Sequence, residues 1–158
     1  LHIAVYPGTF DPIHYGHIDL VKPEAQEFDE LVVSIYDRSQ KRVLFPIEER
    51  VQMAQEALRD IDNVSVKAYD TLTVEFVRSQ GARFIVRGLR VISDFEMEYQ
   101  MALTNRSLDS GIDSICLMTS LEYAFISSSI VKDIARARGP IAQMVPEHVA
   151  QALNARLR

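Results

Sequence analysis

Short apolar runs rich in β-branched residues alternate along this chain with longer segments in which apolar residues recur at helical spacing. Such alternation is typical of a parallel sheet covered by helices. The apolar runs predict five strands, over residues 3–6, 31–36, 64–69, 83–86 and 114–118. The pattern therefore predicts an α/β fold: a Rossmann-like, doubly wound five-stranded parallel sheet with helices on both faces.

Helix signals fill the segments between these strands. Apolar residues keep helical spacing over 47–58, and further helices are predicted over 94–108, 130–137 and 146–157. A shorter helix that includes residues 72–77 is expected to end at Gly81 in a left-handed cap. The helix that should follow Gly16 contains Pro23, which removes a backbone N–H and crowds the preceding turn. A kink or an early break is therefore expected at Pro23.

The chain has 158 residues, of which 47% are hydrophobic, enough material for one continuous core. It contains no internal repeat, low-complexity stretch or linker rich in Gly, Ser or Pro. A single domain over residues 1–158 is expected. Cys116 is the one cysteine, which excludes an intrachain disulfide and a cysteine-based zinc cluster. It lies in an apolar run and is expected to be a buried core thiol.

The charge balance, 17 basic against 22 acidic side chains, gives a net charge of −5. This balance argues against a broad electrostatic surface for nucleic acid or anionic membranes. No apolar run approaches the roughly 20 residues needed to span a bilayer, and no basic segment followed by an apolar signal core opens the chain. A cytoplasmic protein is expected, with no nucleic acid or membrane partner.

The loop after the first predicted strand, residues 6–17, is dense in Gly and Pro and ends at a helix start. Its glycines allow close backbone approach to a ligand, and the helix N-terminus offers free N–H groups that suit phosphate. His14 and His17 should cluster on the first helical turn. Metal ligation is a rival interpretation, although no third or fourth ligand lies at supporting spacing. Two ordinary turn histidines are the other alternative.

Two further loops also suit anions. After strand four, Arg87 and Arg90 flank Gly88, and the guanidinium fork matches phosphate oxygens, although such a pair could equally form surface ion pairs. After strand five, three consecutive serines, residues 127–129, open a helix, where they could bind an anion or act only as a redundant N-cap. Lys41 and its neighbour Arg42 could reach the same end of the sheet, or remain a solvated surface pair.

Three phosphate-suited loops and a lysine predict a polyphosphate ligand. The Gly-rich P-loop with its Lys and Ser or Thr is absent, as is the dinucleotide-binding fingerprint. An ordinary P-loop nucleotidase or a dehydrogenase is therefore disfavoured.

Two short motifs carry a resemblance to a known superfamily. The segment 14–17, His-Tyr-Gly-His, resembles the (T/H)xGH signature of the nucleotidyltransferases, and 126–129, Ile-Ser-Ser-Ser, resembles their second signature. Over nearly the whole chain the finer resemblance is to the phosphopantetheine adenylyltransferase family. It is carried by residues 6–13, 48–50, 86–90, 94–96, 100–106 and 131–132.

The resemblance implies reversible transfer of the adenylyl group of ATP to 4′-phosphopantetheine, which gives dephospho-coenzyme A and pyrophosphate, a step of coenzyme A synthesis. It implies assistance by Mg²⁺, direct in-line attack without a covalent enzyme intermediate, and a homohexamer. The expected partners are thus ATP and 4′-phosphopantetheine. The physics agrees, because the phosphate oxygen of the acceptor is itself the nucleophile, and the protein needs only to align it and neutralise developing charge.

The resemblance also assigns roles to residues. His17, Thr9, Lys41 and Arg90 are the expected catalytic groups, and His17 should donate to the α-phosphate. The acceptor site should be formed by Thr9, Lys41, Thr73 and Arg87. The ATP site should be formed by Thr9, Phe10, His17, Gly88, Leu89, Arg90, Glu98, Tyr123, Ala124, Phe125, Ile126, Ser127, Ser128 and Ser129. No protein ligand for a metal is assigned.

Two positions depart from the family pattern: Pro23 lies inside the first helix, and His14 stands where the family usually has Thr. His is allowed at this position across the superfamily, so the assignment to the nucleotidyltransferases is unaffected. The substitution gives less support to 4′-phosphopantetheine over another acceptor. Two alternatives remain at this point. One is a sister enzyme that transfers a nucleotide to nicotinamide mononucleotide or to a phosphorylated alcohol, and the other is a non-catalytic nucleotide sensor on the same fold. Loss of His17, Lys41 or Arg90 would have favoured the sensor, and all three are present.

Overall fold

The structure is a computed structural model that describes residues 1–38, 42–90 and 92–157. Its strands form one sheet of parallel strands in the order β3-β2-β1-β4-β5. The strands are β1 Ile3–Gly8, β2 Glu30–Tyr36, β3 Val64–Tyr69, β4 Phe84–Leu89 and β5 Asp113–Met118. The predicted α/β fold with a five-stranded parallel sheet is confirmed.

Helices connect the strands and cover the sheet. They are α1 Tyr15–Glu27, α2 Ile47–Ala57, α3 Thr73–Ser79, α4 Ile92–Leu108, α5 Ser128–Arg136 and α6 Glu147–Leu157. None of the helices in the described ranges is long and apolar enough to cross a membrane.

Two clusters of buried side chains lie on opposite faces of the sheet. Successive residues of a strand point to opposite faces, and in β1 Ala4 belongs to one cluster and Val5 to the other. The larger cluster receives apolar residues from α1, α2, α5 and α6, whereas the smaller one receives Val74 and Val77 from α3. Helices therefore cover both faces, as the sequence predicted.

The centre of the sheet is where the strand order reverses. The chain moves outward from β1 through β2 to β3, then returns to the other side of β1 with β4 and β5. The pairing between β1 and β4 is short, covering only Ala4 with Phe84 and Val5 with Ile85. Beyond these pairs the two strands separate toward their carboxyl ends. A crevice at such a switch point is the usual ligand site of an open α/β sheet.

Gly81 ends α3 as predicted, with φ of 69° in the left-handed region. Its N–H donates to the carbonyl of Arg78, and the N–H of Ala82 donates to that of Val77, which together form a Schellman motif. The early break that was expected at Pro23 does not occur, because α1 continues through Pro23 to Glu27. Pro23 is exposed, so water can solvate the carbonyl that loses its helical partner.

The expectation of a buried thiol at Cys116 is wrong. Cys116 is exposed, because β5 is an edge strand of the sheet and this side chain lies on a part of its surface that no described helix covers fully. The apolar run that suggested burial instead has its better-covered residues at Ile115 and Leu117, one position away on either side.

Candidate active site

A cleft of about 630 Å³ opens where β1 and β4 separate. Its walls come from the loops that follow β1, β4 and β5, from the start of α5 and from Arg42 and Val43. The three loops that the sequence singled out as anion-suited therefore meet at one site.

Most of the predicted site residues line this cleft. They are Thr9, Phe10, His17, Arg87, Gly88, Arg90, Glu98, Tyr123, Ile126, Ser127, Ser128 and Ser129. Leu89 ends β4, and Ala124 and Phe125 lie on the loop after β5, but none of the three is among the lining residues. Thr73 begins α3 away from the lining, with its Oγ1 3.0 Å from the hydroxyl of Tyr69. Lys41 lies outside the described residues. The roles assigned to all these residues stay predictions.

The two histidines form a reciprocal cap at the start of α1. Nδ1 of His14 accepts the N–H of Gly16 over 3.0 Å, and the N–H of His14 donates to Nδ1 of His17 over 3.1 Å. Their rings stack with centroids 3.7 Å apart. Because Nδ1 is an acceptor in both rings, each neutral imidazole carries its proton on Nε2. A Cβ on Gly16 would lie 2.8 Å from Cε1 of His14, so the glycine of this motif makes room for the cap.

Burial keeps both imidazoles neutral. It lowers the pKa of His14 to about 3, with a smaller contribution from the positive charge of Arg90. Burial, then His14, Arg87 and Arg90, lowers the pKa of His17 well below its ordinary value. His17 can therefore donate a hydrogen bond from Nε2 at neutral pH without acting as a charged acid. The same Nδ1 bonds weaken the metal-ligand interpretation, and the described residues include no group of three or more His, Cys, Asp or Glu placed to hold a metal.

Arg87 is held by a carboxylate and a carbonyl. Its Nε lies 3.1 and 3.0 Å from the two carboxylate oxygens of Glu98, and its Nη2 lies 2.9 Å from Oε1. Its Nη1 donates to the carbonyl of Pro7. The sequence assigned Arg87 to the acceptor and Glu98 to ATP, and in the structure the two side chains bind each other. A bidentate pair of this kind orients the guanidinium before any ligand arrives.

Arg90 joins two of the loops. Its Nε lies 3.1 Å from Oδ2 of Asp94, and its Nη1 donates to the carbonyl of Ile126 over 3.2 Å. The loop after β4 is thereby tied to the segment that leads into α5. In that segment, Ser127 caps α5 by accepting the N–H of Ile130 over 3.1 Å, while Oγ of Ser128 donates to the carbonyl of Pro12 over 2.9 Å.

A buried ion pair that the sequence did not indicate also lines the cleft. Nζ of Lys132 is 2.9 Å from Oδ2 of Asp11, which is only 3% exposed. The same carboxylate accepts the N–H of Leu44 over 2.7 Å and that of Phe45 over 2.9 Å. Asp11 thus fastens the segment that carries Arg42 to the loop after β1.

Sequence reasoning left several lining residues out of the predicted site. They are Tyr6, Pro7, Gly8, Asp11, His14, Gly16, Leu20, Arg42, Val43, Asp94, Met97, Thr119 and Lys132. His14 and Arg42 had a signal in the sequence, since one lies in the histidine motif and the other follows Lys41. Asp94 also had one, because it belongs to the segment 94–96 that carries the family resemblance. Lys132 belongs to the segment 131–132 that carries the family resemblance, but no local pattern indicated its pairing with Asp11, 121 positions away.

Known proteins that resemble this chain define the class of protein to which it belongs. The cytidylyltransferase-like family model matches residues 5–134, which include the three loops that form the cleft. The chain therefore belongs to the cytidylyltransferase-like family, whose members are nucleotidyltransferases. A solved structure of a candidate nicotinate-nucleotide adenylyltransferase from Vibrio parahaemolyticus has a similar fold, with a TM-score of 0.69. It is 13% identical and the match covers 97% of this chain and 98% of that one, so it supports the fold alone.

Similar curated proteins narrow the class further. The phosphopantetheine adenylyltransferase of Gloeobacter violaceus is 49% identical over 98% of this chain and 96% of its own length. That of Desulforudis audaxviator is 50% identical over 98% and 94%, and that of Geotalea daltonii is 46% identical over 99% and 97%. Within the nucleotidyltransferases, the chain belongs to the phosphopantetheine adenylyltransferase family. The family resemblance predicted from the sequence is confirmed.

Proposed function

We propose that this enzyme transfers the adenylyl group of ATP to 4′-phosphopantetheine. A phosphate oxygen of the acceptor attacks the α-phosphorus, the bond from that phosphorus to the bridging α–β oxygen breaks, and pyrophosphate leaves with the bond electrons. The product is dephospho-coenzyme A, and the reaction is reversible. The observation that carries the proposal is near-full-length identity of 46–50% to proteins named for this activity, combined with a cleft that collects anion-binding groups at the switch point of the sheet.

The reaction requires that the acceptor phosphate is aligned with the α-phosphorus and that the negative charge of the transition state is stabilised. His17 would donate from Nε2 to an α-phosphate oxygen as negative charge grows, because its Nδ1 is already occupied. Arg90 and Thr9 line the same cleft, and Lys41 is expected to join them. Arg87, oriented by Glu98, would bind the phosphate of the acceptor. No residue needs to form a covalent intermediate, since the acceptor brings its own nucleophile.

Mg²⁺ is part of this proposal, and the residues suit a particular mode of binding. The carboxylates of the described cleft wall already have cationic partners: Asp11 pairs with Lys132, Glu98 with Arg87 and Asp94 with Arg90. Mg²⁺ commonly keeps several waters and takes its other ligands from substrate phosphates. The ion would thus be held mainly by ATP, where it would neutralise charge on the phosphate oxygens.

A homohexamer is likewise proposed, with support from the surface of α4. Several large apolar side chains of this helix are exposed: Phe95, Met97, Tyr99, Met101 and Leu103. Large apolar side chains exposed together on one helix are typical of an interaction site. A cytoplasmic location completes the proposal, because the reaction consumes ATP.

The test is an assay with ATP, Mg²⁺ and 4′-phosphopantetheine that follows pyrophosphate and dephospho-coenzyme A together, with nicotinamide mononucleotide as a parallel acceptor. We expect both products with 4′-phosphopantetheine only. Turnover with nicotinamide mononucleotide but not with 4′-phosphopantetheine would overturn the proposed acceptor. Binding of ATP without any turnover would favour a nucleotide sensor.

The matched variants are His17→Ala and His2→Ala. The first removes the Nε2 donor and should lower kcat about 10²- to 10³-fold, the usual cost of one donor aimed at transition-state charge. The second alters an exposed histidine near the chain start, outside the cleft lining, and should leave kcat unchanged. Equal kcat in His17→Ala and His2→Ala would remove His17 from the chemistry.

A further inference from the structure

Arg50 is an unusual residue of α2. It is only 2% exposed, yet it does not line the cleft. Lys, Glu, Arg and Asp are almost never fully buried unless they are paired. A buried guanidinium therefore needs an account of what holds it.

Arg50 is held by carbonyl oxygens of three separate segments. Its Nε donates to the carbonyl of Phe45 over 3.0 Å. Its Nη1 donates to the carbonyl of Thr9 over 2.9 Å and to that of Tyr36 over 3.1 Å. These carbonyls belong to the loop after β1, the end of β2 and the entrance to α2. One side chain thus joins three parts of the chain that meet at the carboxyl ends of the central strands.

No described carboxylate forms an ion pair with Arg50 within 4.0 Å. Asp11, Asp37 and Glu48 act on Arg50 only from a longer range, and a buried charge without a direct ion pair is costly unless hydrogen bonds compensate. An apolar side chain of similar volume would avoid that cost, but it could not bind three carbonyls at once. The arrangement therefore favours a role in fixing backbone positions over a role in general stability.

The segment at Phe45 is held from a second direction. Asp11 accepts the N–H groups of Leu44 and Phe45, while Arg50 binds the carbonyl of Phe45. The residues just before this point, Arg42 and Val43, form part of the cleft wall. The spacing between the Thr9 loop and the segment of Arg42 is consequently set by Asp11, which lines the cleft, together with Arg50, which does not.

We propose that Arg50 is a positioning residue for adenylyl transfer, which holds the Thr9 loop and the segment 42–45 in register through the three carbonyls. The inference rests on the proposed function. Arg50 touches no substrate. It acts through the backbone of Thr9 on one side and of Phe45 on the other.

Lysine is a sharp probe of this role, because it keeps the charge but has one nitrogen instead of a rigid planar fork. In Arg50→Lys the Nε–H and Nη1–H bonds cannot all be made, so the two walls should shift. A misplacement of about 1 Å can cost about 10²-fold in rate. We expect kcat to fall about 10- to 100-fold, while the KM for ATP changes less than about threefold, because most of the predicted ATP site lies at the ends of β4 and β5, which Arg50 does not contact.

The control for mere destabilisation is Leu153→Ala. Leu153 is fully buried on α6 and is not among the lining residues, so this variant should lower the melting temperature without lowering kcat at a temperature where it is folded. Wild-type kcat in folded Arg50→Lys would overturn the inference. An equal loss of kcat in Leu153→Ala would also overturn it, since the effect would then follow from stability.

Amide hydrogen exchange gives a readout that does not need turnover. Exchange at Leu44 and Phe45 should rise in Arg50→Lys, and in Arg50→Gln if the lysine variant does not fold, with no change at Val149 on α6. Unchanged exchange at Leu44 and Phe45 would overturn the inference whatever the activity. An inactive wild-type enzyme would instead overturn the proposed function, and the two failures are therefore distinguishable.

Discussion

At the scale of single residues, the buried imidazoles of His14 and His17 make the stability of the fold depend on pH. The pKa of His14 is lowered to about 3 from the ordinary 6.5 by burial. The unfolded chain therefore binds a proton below about pH 6.5 that the folded chain excludes. The stabilising effect of the neutral ring is complete above pH 6.5 and is lost as the pH falls, by up to about 1.4 kcal/mol per pH unit for one group.

The variant His14→Asn tests this coupling. The amide oxygen of Asn can still cap the N–H of Gly16, but it does not titrate. We expect urea unfolding between about pH 7 and about pH 5 to show a shallower loss of stability in His14→Asn than in the wild type. The slope that remains would include His17, whose pKa burial also lowers. Identical slopes in the two proteins would contradict a buried neutral His14.

The pair of Arg87 and Glu98 supports a second prediction at this scale. Glu98→Gln keeps the shape of the side chain but removes the charge that accepts two Nε contacts of Arg87. Hydrogen bonds to charged groups contribute about 1.5–3 kcal/mol each. We expect the free energy of unfolding to fall by about 1–3 kcal/mol, measured by urea titration. Glu75→Gln, an exposed change on α3, is the matched control and should stay within about 0.5 kcal/mol of the wild type.

At the scale of elements, the ends of β1 and β4 explain what the sequence could and could not predict. The periodicity located every strand, but it ended β1 at residue 6 and β4 at residue 86, whereas the strands reach Gly8 and Leu89. Pro and Gly are disfavoured in strands, so the strands were expected to end before Pro7 and Gly88. Pro7 and Gly88 are tolerated because each extension pairs on one side only, β1 with β2 and β4 with β5. The open sides form the cleft.

The loops of the site were predictable for a related reason. Residues after parallel strands gather at one edge of the sheet, so the regions around Thr9, Arg87 and Ser127 could be placed together without a structure. The side-chain partners could not. Asp11 with Lys132, and Arg50 with its three carbonyls, depend on distances between segments far apart in sequence, which no local pattern encodes.

Gly81, which ends α3, supports a prediction about the stability of that helix. Its φ of 69° costs an L-residue about 1–2 kcal/mol. Gly81→Ala should lower the free energy of unfolding by about that amount and leave kcat unchanged, because Gly81 is outside the cleft lining. Thermal or urea unfolding together with the transfer assay would check both parts. Unchanged stability would mean that the C-terminal cap of α3 does not require glycine.

At the scale of the whole molecule, the exposed face of α4 links the surface of the chain to its site. Glu98 on α4 binds Arg87 in the cleft, while the neighbouring Met97 and Tyr99 are 66% and 57% exposed. The helix that orients Arg87 in the cleft thus also presents exposed apolar side chains. Association through this face would bury that surface and hold α4, and with it Glu98, against the cleft.

The substitution Tyr99→Glu tests the association. A carboxylate at this exposed apolar position should be costly in a buried interface and harmless in a free chain. We expect light scattering after size exclusion to give a wild-type mass of six times the 17.9 kDa chain, and a smaller mass for Tyr99→Glu. Gln55→Glu adds the same charge to an exposed position of α2 and should leave the mass unchanged. A wild-type monomer, or a variant with the wild-type mass, would exclude the α4 face as the interface. A smaller mass with reduced turnover would mean that assembly helps to hold Glu98 and Arg87 in place.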